Sequence, residues 1–174
     1  MRHTLAILVE NRFGELARIV GLFSARGNNI ESLTVAETLE PKISRMTLVT
    51  SGDDLAVEKL VRQIDKQIRV LSVVDLTRLD HIEREMVLVH VKVEAGNQRL
   101  EVMRLAGVFE AKMIDVSEDG VTVEAVGERY KVEALLRSLQ PFGIRELARA
   151  GTLAIGRLPA ASATEEVRER IAVG

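Results

Sequence analysis

The sequence predicts an α+β fold built from two βαββαβ units in tandem. Apolar residues recur at every second position or at helical spacing, and these two patterns alternate in the same order in each half. A polar stretch at about residues 78–84 separates the halves. The length, 174 residues, suits one ordinary domain or two small ones.

The first strand is read at residues 4–9, where Leu5, Ile7 and Val9 share one face. Glu10 to Gly14 follows as a loop. Leu16, Ile19, Val20 and Phe23 then keep helical spacing, and Gly27 is a natural stop. Ile30 to Glu37 reads as the second strand and Ser44 to Thr50 as the third, joined around Pro41. Asp53 or Asp54 is suited to cap the second helix, with Val57, Leu60, Val61, Ile64 and Ile68 as its buried face. Val70 to Thr77 closes the unit as a fourth strand.

The second half opens on a strand in which Val87, Val89, Val91 and Val93 alternate with Leu88, His90 and Lys92. A helix is expected over Gln98 to Val108. Met113 to Ser117 and Val121 to Val126 read as strands joined through Asp119-Gly120, a pair that favours a tight turn. Val132, Leu135, Leu136 and Leu139 mark the fourth helix, and Phe142 to Ile155 holds the last strand material. The expected domains are 1–78 and 84–157, with 158–174 as a tail. Ser162 and Glu165 in that tail fit a capping box, and a short marginal helix or a frayed end are both compatible with it.

Composition narrows the function. The net charge is −2, which provides no electrostatic attraction for nucleic acid or an anionic membrane. There is no cysteine, so disulfides, thiolate nucleophiles and cysteine metal sites are absent. No apolar run approaches the roughly 20 residues needed to span a bilayer. The N-terminus lacks a signal-peptide cleavage pattern, so a cytoplasmic protein is expected.

Catalytic patterns are equally scarce. His3, His81 and His90 are never three or four residues apart, so no helix-borne metal pair is formed. Glu83/Glu85 and Glu165/Glu166 read as solvated surface. No nucleophile elbow and no glycine-rich phosphate loop occurs. RNA-binding βαββαβ units stack bases on aromatic residues of the central strands. Here those strands are aliphatic, and Phe109, opening the strand region of the second half, would be one ring without a basic patch.

The informative stretch is Glu10-Asn11-Arg12-Phe13-Gly14-Glu15-Leu16, which joins a strand to a helix. A helix start offers free N–H groups and a positive dipole end, both suited to a carboxylate. Gly14 lets a small ligand approach the backbone, and the Asn11 amide carries a donor and an acceptor for an amino acid's head group. Both residues also have a purely structural reading, as turn or cap residues. Gly27-Asn28-Asn29-Ile30 is likewise readable as a plain turn.

These residues carry a family resemblance. The first half resembles an ACT domain, a ferredoxin-like βαββαβ module that binds amino acids. The run Glu10-Asn11, Gly14, Leu16, Arg18, Gly21-Leu22-Phe23-Ser24, Arg26-Gly27, Asn29-Ile30-Glu31-Ser32-Leu33-Thr34-Val35 and Ser44-Arg45-Met46-Thr47 resembles the acetohydroxyacid (acetolactate) synthase small regulatory subunits. Phe109, Ile114-Asp115-Val116, Ala148-Arg149 and Gly151 extend the likeness into an ACT-like second half. The resemblance covers about residues 1–157.

It implies a non-catalytic chain that activates a large catalytic subunit and confers feedback inhibition, typically by valine, in branched-chain amino acid biosynthesis. It implies no cofactor here, with thiamine diphosphate, magnesium and FAD in the partner. The effector is expected between the ACT domains of a homodimer. Asn11 and Gly14 match the effector loop, and Asn29 and Ile30 match the facing segment. Phe13 and Glu15 are expected to contribute backbone only, and Leu16 apolar contact. An ACT-type sensor serving a different biosynthetic enzyme is the alternative.

Overall fold

A computed structural model describes residues 1–93 and 97–157. The first unit comprises β1 (Arg2–Glu10), α1 (Glu15–Ser24), β2 (Ile30–Glu37), β3 (Ile43–Ser51), α2 (Asp54–Asp65) and β4 (Val70–Asp75). Its sheet is antiparallel with strand order β2-β3-β1-β4, so the chain's first strand lies in the middle. Leu5, Ile7 and Val9 of β1, Met46 and Leu48 of β3, Ile19 and Phe23 of α1 and Leu60 and Ile64 of α2 form one buried cluster. Both helices therefore cover the same sheet face, and removing Phe23 to Ala would cost about 3–5 kcal/mol.

Asp53 caps α2, its carboxylate accepting from the amides of Leu55 and Ala56. The helix ends at Asp65. Ile68, expected on its buried face, is 93% exposed, because it lies past the helix end and no longer follows the helical stripe. The fourth strand ends at Asp75, and Leu76–Arg78 forms a 3-10 turn.

The second unit comprises β5 (His81–Lys92), α3 (Gln98–Val108), β6 (Lys112–Val116), β7 (Gly120–Gly127), α4 (Arg129–Leu139) and β8 (Ile144–Arg149). Strand order β6-β7-β5-β8 repeats the arrangement of the first sheet. Val87, Val89, Val91, Val123, Val132, Leu135 and Leu139 form its core. Phe109 caps the end of α3 and packs against this core, and so does not open a strand. The polar stretch taken for a linker is largely strand, since β5 begins at His81. Glu85 is buried because Arg149 pairs with it from β8.

The chain divides into Met1–Ile82 together with the segment from Thr152 onward, and Glu83–Gly151. The last strand material is split accordingly, and β9 (Leu153–Gly156) packs with the first unit. Thr152 N donates to Ser32 Oγ at 2.7 Å, Thr34 Oγ1 donates to Thr152 O at 2.8 Å, and Arg45 Nη2 donates to Ala154 O at 2.9 Å. Ala154 joins Ala6, Val74 and Leu76 in a small apolar cluster. This segment thus covers the sheet face opposite the helices. The expected tail, 158–174, lies outside the described residues.

Candidate functional site

The loop between β1 and α1 is tied at its root to both neighbouring strands. Glu10 N donates to Arg69 O at 2.9 Å, just before β4, and Asn11 N donates to Lys42 O at 2.6 Å, just before β3. The Asn11 side chain is equally fixed: Nδ2 donates to Glu37 Oε1 at 2.9 Å and to Pro41 O at 3.0 Å. Its two donors are taken, so the side-chain group left over is Oδ1, an acceptor.

Gly14 is the N-cap of α1 with φ 88° and ψ −13°. A Cβ built there would meet nothing within 4 Å, so the backbone angle calls for glycine and the space beside it is open. Arg18 N closes the first helical bond on Gly14 O at 3.0 Å. The amides of Leu16 and Ala17 have no carbonyl acceptor among the described residues. Free amides and the dipole end are suited to an anion, while the nearby arginines are paired, Arg12 with Glu10 at 2.9 Å and Arg18 and Arg69 with Glu15. Phe13 is fully exposed and Leu16 is 42% exposed, giving the same mouth an apolar rim.

Glu15, expected to contribute backbone only, has an inward-turned side chain. Its side chain is 3% exposed, with Oε1 3.0 Å from Arg69 Nη1 and 3.8 Å from Arg18 Nη1. Oε2 is buried without a hydrogen-bond partner. Sequence reasoning did not single out Arg69, because the pair spans 54 positions and belongs to no local pattern.

Asn29 and Ile30 do not join this group within one chain. Ile30 pairs with Thr50, which pairs with His3, whereas Glu37 pairs with Ser44 beside Val9. They therefore stand at the far end of the sheet, seven strand positions from Glu37, or roughly 23 Å at about 3.3 Å per residue. Asn29 O accepts from Thr50 Oγ1 at 2.7 Å, and the residue is otherwise exposed.

The second unit has a separate cavity of about 120 Å³, lined by His90, Asp115, Ser117, Thr122 and Arg145 among others. Arg145 is engaged there by Asp119 at 2.7 Å. That hydrogen bond holds the Asp119 carboxyl below its usual range. Among the described residues no three His, Asp or Glu side chains converge as metal ligands.

Two split βαβ sheets in tandem, the first with a glycine-capped helix, define an ACT-type architecture. Residues 5–72 match the AHAS small subunit-like ACT domain, and residues 84–158 match the small subunit of acetolactate synthase. An acetolactate synthase small subunit from Mycobacterium bovis is 46% identical across 90% of this chain and 93% of its own length. One from Aquifex aeolicus is 43% identical across 90% of this chain and 81% of its own. The crystal structure of a Thermotoga maritima acetolactate synthase small subunit superposes with a TM-score of 0.82 at 36% identity, covering 90% of this chain and 98% of that one. The chain belongs to the acetolactate synthase small-subunit family.

Proposed function

We propose that this chain is a non-catalytic regulatory subunit that binds a branched-chain amino acid, valine by family habit, between the first units of two copies. The carboxylate meets the amides of Leu16 and Ala17 beside Gly14. The ammonium meets Asn11 Oδ1. The branched side chain packs on Leu16 and on the partner's Ile30, with the exposed Phe13 ring at the rim. Asn29 of the partner closes the far wall.

The observation that carries this reading is the register. Asn11 and Ile30 are at opposite ends of one sheet, so a single chain offers only half a site. β2 is an edge strand of eight residues without proline or lysine, and such an edge invites pairing. Antiparallel pairing of two β2 strands about a twofold axis would bring the partner's Asn29-Ile30 level with Glu37, the residue that holds Asn11. Two equivalent half-sites are then completed at once.

In this reading the catalytic subunit carries thiamine diphosphate, magnesium and FAD and condenses pyruvate in the cytoplasm. The small subunit raises its activity, and valine lowers it. Valine changes activity only if it binds the activating and inhibiting arrangements unequally, and a difference of about 1–3 kcal/mol would be typical. The test is titration calorimetry of the purified chain with valine, leucine and isoleucine, followed by pyruvate condensation with the catalytic subunit added. One valine per half-site, activity only in the complex and inhibition by valine are expected. Absence of binding by all three amino acids would remove the reading.

A further inference from the structure

We infer that Arg69 is the positioning residue of the effector loop, setting both its shape and its charge through Glu15; this rests on the reading of the loop given above. Arg69 holds the loop at both ends. Its carbonyl accepts from Glu10 N at 2.9 Å, before the turn, and its guanidinium lies 3.0 Å from Glu15 Oε1, after it. Asn11 is fastened separately, to Lys42 O, Pro41 O and Glu37, and Arg69 is the residue that reaches the loop both before the turn and at the helix start.

The charge argument is independent of the shape argument. Glu15 is the first residue of α1, so its enclosed carboxylate belongs to the same helix end as the amides that would take the ligand's carboxylate. Two anions compete there for one positive helix end. Glu15 Oε2 accepts no hydrogen bond, so nothing but the neighbouring cations offsets this charge. Arg69 is the nearer of the two, Arg18 standing 3.8 Å away. With Arg69 present the enclosed pair is neutral and the dipole is left to the ligand. Without it, a buried anion with only Arg18, at 3.8 Å, to offset it faces an incoming anion.

The experiment is valine calorimetry on the full chain with Glu15→Gln, Arg69→Gln and the double variant, each with a melting curve. Arg69→Gln is expected to weaken binding about tenfold, Glu15→Gln to tighten it about threefold, and the double variant to return within about threefold of the parent. A brace that merely stabilised the fold would not be rescued by neutralising Glu15. Unchanged affinity in Arg69→Gln, or a loss that Glu15→Gln leaves in place, overturns the inference while valine binding by the parent stands. If Arg69→Gln does not fold, Glu15→Gln decides alone: tighter binding supports the inference, and equal or weaker binding overturns it. If the parent binds none of the three amino acids, the proposed function fails and this inference falls with it.

Discussion

Single residues show where the local code is legible. Gly14 stood out because a glycine between a strand and a helix has few other uses, and its φ of 88° accounts for it. Replacing it costs about 1–2 kcal/mol of backbone strain, but the open space beside it spares the core. Gly14→Asp is therefore expected to stay folded and to keep activating the catalytic subunit, while losing valine inhibition, because a second carboxylate stands where the ligand's must go. A reconstituted assay with a valine titration checks this; full inhibition would remove the pocket. His3, by contrast, read as one scattered histidine. It is 1% exposed, with Nδ1 3.1 Å from Asp75 Oδ2 and Nε2 3.2 Å from Asp54 Oδ1. Burial opposes ionisation of Asp75, but hydrogen bonds from the Thr77 hydroxyl and amide and from His3 outweigh it and hold the carboxyl below its usual range. A lowered carboxyl stabilises the fold above its unfolded value and loses that contribution as pH falls through the folded one. Melting temperature should therefore drop below about pH 4, and Asp75→Ala, about 1–3 kcal/mol less stable at neutral pH, should show a shallower drop.

Elements were legible where one face is buried. The alternation in β5 and the stripes of α1 and α4 are direct consequences of packing against a single sheet face, whereas β1 and β3 are buried on both faces. The reading slipped where charge is buried or where a helix stops early. The start of β5 looked like a linker because its polar residues have partners far along the chain, Arg149 for Glu85 above all. β2 is the element on which the proposed site turns. Val35 lies on that edge strand and is 42% exposed. Val35→Arg is expected to put a bulky charged chain on the pairing edge and to convert a dimer into a monomer of unchanged helix and strand content. Light scattering with circular dichroism checks this, and a dimer that persists with valine bound would argue against pairing through β2.

At the scale of the molecule, the sequence by itself determined the tandem βαββαβ order, the aliphatic cores and the family, because each rests on periodicity and motifs carried by neighbouring residues. It also singled out the loop between β1 and α1 that is proposed to hold the effector. Only the tertiary structure decided that Asn29 and Ile30 stand a sheet's length from Asn11, that Thr152–Gly156 covers the second face of the first sheet, and that Glu15 turns inward to Arg69. These facts depend on strand register and on pairs more than fifty residues apart. Burial of a charge is settled by whichever distant residue arrives to neutralise it, and no local pattern encodes that arrival.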